Sequence, residues 1–265
     1  PKRAASPREP IKYPDQITVD NRDHARAAPR DVAANLLPGL RRGLPVPPVV
    51  VVAHKRSAAM GWYDLFSNFY DRSLERLYVT QRAAAVEALR VAPGQVVLDL
   101  PCGTGQSLDG LARAVGPRGL VVGVDLSQGM IRRAQERARE RGLDRVKLVT
   151  ADVHSLTRET LGSATAVERV HVFLGMSAFP RWTEAFGRLW DVLEPGGRCV
   201  LVDVYNERPG PYGRLVNLVA QADIRRPFWA PLERVAADFE RVALPYSALH
   251  GGAIQLATGI KPPRA

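Results

Sequence analysis

From residue 96 onward, short apolar runs alternate with longer stretches in which apolar residues recur every three to four positions. The runs "VVLDL" (96–100), "LVVGVD" (120–125), "VKLVT" (146–150), "AVERVHVFL" (166–174) and "RCVLVDVY" (198–205) predict five strands. The stretches "SLDGLARAV", "SQGMIRRAQERARERG" and "WTEAFGRLWDVL" predict helices between them, the last one stopped by "EPGG". Ahead of the first strand, Leu74, Leu77, Tyr78, Ala84, Val86 and Leu89 follow Asp71, a candidate cap, at roughly helical spacing, and Pro93-Gly94 ends that helix. Beyond the fifth strand, Leu215, Val216, Leu218 and Val219 mark an amphipathic helix. "FERVALPYSAL" and "AIQLATGI", joined through His250-Gly251-Gly252, read as an antiparallel hairpin.

Strands alternating with helices imply βαβ units, hence an α/β fold with a mostly parallel sheet covered by helices on both faces. Ligands bind such sheets beyond the carboxyl ends of the strands, near the point where strand order reverses. Three acids fall at those ends: Asp99 after the first strand, Asp125 after the second and Asp152 two residues past the third. Their separation of about one βα unit brings them to one rim. Asp125 can accept hydrogen bonds from a ribose diol, and Ser127 can cap the following helix. Gly103 and Gly105 remove side chains where the backbone must approach a ligand. Asp99 would repel a pyrophosphate but welcome an ammonium or sulfonium. The dinucleotide pattern also fails, because Leu108 stands where its third glycine belongs. An adenosine-like, cationic ligand fits the constellation.

These residues resemble the class I S-adenosylmethionine-dependent methyltransferases, in particular the type 11 small-molecule branch. "VLDLPCGTG" is similar to that family's first motif, "VVGVDLSQGM" to its second, "VTADVHSL" to its third and "LEPGGRCVLVDV" to the strand after its Pro-Gly-Gly turn. The resemblance spans about residues 62–260 and implies a Rossmann-like seven-stranded sheet of order 3-2-1-4-5-7-6 with an antiparallel final hairpin. It implies S-adenosylmethionine as cofactor, no metal, and a small-molecule or lipid-like methyl acceptor. Asp99, Gly103 and Gly105 would meet the methionine portion, Asp125 the ribose and Asp152 with Val153 the adenine edge, with Leu126 also among the cofactor contacts. "SNFYD" is similar to a cofactor-covering segment of quinone-biosynthesis C-methyltransferases, which makes Tyr70 a contact candidate. Pro101 departs from the family pattern by replacing a glycine, which removes one backbone donor.

On the acceptor side, transfer from a sulfonium is an in-line displacement in which proximity supplies much of the rate, so a base is optional. His250 is the candidate base or substrate contact, or an ordinary turn histidine. Ser177 follows the fourth strand, where acceptors sit, or serves its own loop. Arg225, Arg226, Phe228 and Trp229 form either an acceptor lid that binds an anionic group or a surface helix terminus.

Charge and composition refine the picture. Hydrophobic residues make up 46% of 265 residues, enough for one sizeable core. Residues 1–59 carry 11 Lys and Arg against 5 Asp and Glu, most of the chain's +10. They are rich in Pro and Ala with no apolar period, so a largely disordered basic tail is expected there, and a methyltransferase domain over 60–265. Met60, directly before the first strongly patterned stretch, is a candidate natural start. With the charge mostly in the tail, and "FLGMSAFP" in place of an Asn/Asp-Pro-Pro-aromatic motif, a nucleic-acid partner is not expected. An RNA or protein methyltransferase, or a non-catalytic cofactor-binding scaffold with a recruiting tail, are the alternatives. Cys102 and Cys199 lack ligand or disulfide spacing, and the longest apolar run is too short to span a bilayer, so a cytoplasmic protein without a transmembrane segment is expected.

Overall fold

The computed structural model describes residues 50–51, 76–162 and 166–263, all within one compact unit, Pro45–Ala265. Seven strands run in chain order: β1 Val96–Asp99, β2 Leu120–Asp125, β3 Val146–Thr150, β4 Val167–Phe173, β5 Leu193–Tyr205, β6 Ala237–Leu244 and β7 Ala253–Ile260. Their order in the sheet is 3-2-1-4-5-7-6, as the family resemblance implies. Strands β3 to β5 across the sheet pair in parallel, and β7 is antiparallel to both β5 and β6. A two-residue edge strand, Val50–Val51, pairs in parallel with β3 and makes the sheet eight-stranded. Those two residues lie inside the segment expected to be a tail. The rest of that segment, Met60, Tyr70 and the expected cap Asp71 lie outside the described residues.

The helices are α1 Val79–Ala88, α2 Leu108–Val115, α3 Gln128–Glu140, α4 Arg158–Leu161, α5 Trp182–Val192, α6 Pro211–Ala220 and α7 Ala230–Val235. Alternation along the strands sends side chains into two layers. Leu98, Val122, Val170 and Leu201 pack with Phe186 and Leu189 of α5 and Leu232 of α7. Val97, Val121, Val200 and Val202 pack with Ala85 of α1, Leu111 of α2 and Ile131 of α3. A central strand covered on both faces must be apolar along its whole length, which is why these strands read as runs and not as alternation.

Local signals explain the boundaries. Ser127 caps α3, its Oγ accepting from the Met130 N–H at 3.2 Å, as expected. "EPGG" is more than a stop signal. Helix α5 ends at Val192, and Glu194–Gly197 already belong to a longer β5. Gly196 takes a positive φ and donates its N–H to the Lys261 carbonyl at 2.8 Å, which knits the turn to the end of β7. The final hairpin also closes differently: β6 stops at Leu244, and eight residues including a 3-10 turn at Ala248–His250 lead into β7.

The chain steps outward through β1, β2 and β3, then returns to place β4 on the other side of β1. The reversal therefore lies between β1 and β4, where Asp99 and His171 are register partners.

Candidate functional site

Asp99, at the end of β1, is 1% exposed. Its Oδ1 lies 2.8 Å from His171 Nδ1, while Oδ2 is buried without a partner. The loop that follows is tied to both neighbouring strands: the Leu100 N–H donates to the His171 carbonyl at 3.1 Å and the Cys102 N–H to the Val124 carbonyl at 2.9 Å. Between them stands Pro101, which needs no acceptor. A Cβ on Gly175, in the loop after β4, would lie 2.3 Å from Pro101 Cδ, so that glycine accommodates the proline ring.

The two loop glycines do different work. Gly103 has φ +53°, and a Cβ built on it would meet nothing within 4 Å, so it faces open space. Gly105 has φ +82°, and its Cβ would fall 2.7 Å from Leu108 Cδ1 and 3.2 Å from Ala134. Gly105 therefore permits loop-to-helix packing.

Asp125 organises the rim. Its Oδ2 accepts the Gly103 N–H and its Oδ1 the Ser127 N–H, both at 2.9 Å. Leu126 beside it is 40% exposed, an uncovered apolar side chain next to the rim. Asp152 accepts the His154 N–H at 2.9 Å and pairs with His154 Nδ1 at 2.8 Å, while Val153 is buried in the core. Cys102 is no nucleophile here: burial, then the charges of Asp125 and Asp99, push its thiol well above the ordinary range.

The acceptor-side candidates are placed otherwise than the sequence suggested. Ser177 is buried, and its N–H and Oγ both donate to the Asp203 carboxylate at 2.8 Å. Arg226 Nη1 donates to the carbonyls of Ser177 at 3.0 Å and Phe179 at 2.7 Å, so it clamps the loop after β4. Arg225 is exposed and paired with Asp223. Phe228 is fully buried, packed edge-to-face on Trp229, and both belong to the core. These four residues are thus not a lid. His250 is also committed: its Nδ1 accepts the Ser247 N–H at 2.8 Å, which leaves the proton on Nε2, 3.3 Å from the Leu77 carbonyl. Packed edge-to-face on Tyr78, it ties the final loop to the start of α1 and has no nitrogen free to act as a base. Ser177, Arg226 and His250 turn inward because a buried loop end must satisfy its backbone polar groups.

Two residues escaped the sequence reading. His171 lies inside β4, and its partnership with Asp99 follows only from register. Asp203 lies two residues before the end of β5, close enough to the rim for the same rule to draw attention to it. Burial pushes its carboxyl up to about 6, against the hydrogen bonds from Ser177 and Val204 and the charge of Arg226. The folded state then holds this proton more tightly than the unfolded chain, where the group titrates at about 3.9. Its contribution to stability is therefore greatest in acid and falls as pH rises from about 4 to about 6, by about 3 kcal/mol. Asp203→Asn removes the titration. The stability difference between wild type and variant is expected to move against wild type across that window and to be flat above it; denaturant titrations at several pH values that show no movement would contradict this.

Residues 97–197 match the family described as methyltransferase domain. The chain is 30% identical over 146 residues to a demethylmenaquinone methyltransferase from Anoxybacillus flavithermus, covering 53% of this chain and 60% of that protein. It is 28% identical over 145 residues to the Listeria welshimeri protein of the same name, with the same coverage. The chain thus spans about 60% of the length of these curated relatives. Among solved structures, geranyl diphosphate C-methyltransferase from Streptomyces coelicolor superposes with a TM-score of 0.58 at 19% identity, covering 74% of this chain and 82% of that one. The chain shares the fold of that methyltransferase, and its similarity to the methyltransferase domain family lies in residues 97–197. Among the described residues no helix is long and apolar enough to cross a membrane.

Proposed function

We propose that this chain transfers a methyl group from S-adenosylmethionine to a small-molecule or lipid-like acceptor. The observation that carries the reading is the unpartnered, buried Oδ2 of Asp99 at the head of the loop in which Gly103 faces open space and donates to Asp125. A buried carboxylate oxygen without a donor is costly unless a ligand supplies one. An ammonium supplies it and a pyrophosphate does not, so the residues fit this cofactor. In the proposed arrangement Asp99 accepts from the ammonium, Asp125 from the ribose hydroxyls, and the Asp152–Val153 segment borders the adenine with Leu126 against its face.

The cofactor supplies a methyl group on a sulfonium, which needs no further activation. The chain's task is to hold the acceptor in line with it, which converts a bimolecular encounter into a positioned one. With His250 committed to backbone partners, positioning carries the transfer. The named activities of the relatives, on demethylmenaquinone and on geranyl diphosphate, support an acceptor of the small or prenylated kind. Cys102 and Cys199 are free thiols, which fits a reducing, cytoplasmic setting.

The test is release of S-adenosylhomocysteine with a panel of hydroquinones, prenylated hydroquinones, allylic diphosphates and phosphorylated amino alcohols. Release above the acceptor-free blank with a panel member is expected. Cofactor binding with no release from any of them would favour a scaffold, and release only with RNA would favour a nucleic-acid enzyme.

A further inference from the structure

We propose that His171 is a positioning residue that aims Asp99 at the ammonium of the bound cofactor, an inference that rests on the cofactor reading above. The two residues are register partners on β1 and β4 at the strand-order reversal, 1% and 0% exposed. Their neighbours along both strands are apolar, so two polar side chains here carry a desolvation cost that a pair of valines would avoid. The pair is also incomplete as a structural device. One hydrogen bond joins Nδ1 to Oδ1 at 2.8 Å, and the two remaining polar atoms, Asp99 Oδ2 and His171 Nε2, are buried without partners.

The imidazole is itself held still. It stacks on Phe173 with ring centroids 6.1 Å apart and planes 14° from parallel. Phe173 in turn takes the edge of Tyr78 at 5.9 Å and the Arg82 guanidinium 5.0 Å from its centroid, so residues at the start of α1 brace the ring. A carboxylate accepts only, so the proton on the bond lies on Nδ1. That bond fixes the plane of the Asp99 carboxyl and leaves Oδ2 as its one oxygen without a donor. A carboxylate whose rotation is already restrained loses less freedom when the ammonium arrives, and a charge-assisted hydrogen bond gains most from fixed geometry.

The experiment compares two ligands by calorimetry on the full chain: S-adenosylhomocysteine, which carries the ammonium, and 5′-methylthioadenosine, which lacks the amino-acid portion. His171→Leu is expected to weaken S-adenosylhomocysteine about 10-fold or more and to leave 5′-methylthioadenosine within about twofold. His171→Asn, whose amide can donate from near the Nδ1 position, is expected to restore most of the loss. His171→Gln, which reaches toward the Nε2 position, is not. Equal weakening of both ligands, or no weakening of either, would overturn the proposal by making His171 a packing residue. Should His171→Leu fail to fold, the Asn and Gln variants carry the same contrast. Failure of wild type to bind either ligand would instead refute the cofactor reading, and this inference with it.

Discussion

Replacing Asp125 with alanine is expected to weaken S-adenosylmethionine binding by about 1.5–3 kcal/mol, which is roughly 10- to 150-fold in dissociation constant. Two losses add. The ribose hydroxyls lose a charged acceptor, and the Gly103 and Ser127 N–H groups, each 2.9 Å from the carboxylate, lose the partner that shapes the loop. The first loss acts on the ligand directly and the second removes preorganisation, so the variant pays an ordering cost on binding that wild type has already met. Asp125→Asn keeps one oxygen and presents an amide to one of the two N–H donors, and an intermediate loss is expected. Calorimetric titration of the three proteins checks the order; unchanged affinity in the alanine variant would remove Asp125 from the ribose site.

Phe228→Ala is expected to cost about 3–5 kcal/mol of stability, the scale for truncating a fully buried aromatic. Its ring is sealed on Trp229, with centroids 5.2 Å apart. Trp229 is held in turn by Tyr205 at 4.8 Å and by the Arg241 guanidinium 4.1 Å above it. At about 2–4 °C per kcal/mol for a domain of this size, the melting temperature should fall by roughly 6–20 °C. A lid residue would behave in the opposite way, with a normal melt and a raised KM for the acceptor. Thermal denaturation therefore separates the core assignment from the lid that the Arg-Arg-Pro-Phe-Trp pattern suggests.

That pattern marks what a sequence can carry and what it cannot. Apolar period and βα spacing are local quantities, and they place Asp99, Asp125 and Asp152 on one rim because the distance between strand ends is set by the length of one strand and helix. Ser127 is legible for the same reason, since a cap acts on its own helix. Arg226 is not. An arginine beside aromatics can bind a ligand's anion or its own chain's carbonyls, and only the position of Met176–Phe179 beneath it decides for the latter. His250 sits in a turn, one of the two roles its position suggests, but its second partner, the carbonyl of Leu77, lies 173 residues away and is not legible locally. Pro101 makes sense only with Gly175, two loops that meet because β1 and β4 are neighbours. The Asp99–His171 pair hides in the same juxtaposition, and Asp203 alone among the missed residues stood near a position that the strand-end rule names.

The rim formed by Asp99, Gly103 and Asp125 is expected to hold S-adenosylmethionine. Calorimetric titration of the wild-type chain with S-adenosylmethionine and, separately, with NADH tests it most directly. Saturable binding of S-adenosylmethionine at one site per chain and none of NADH is predicted. Binding of NADH with no binding of S-adenosylmethionine would contradict the account.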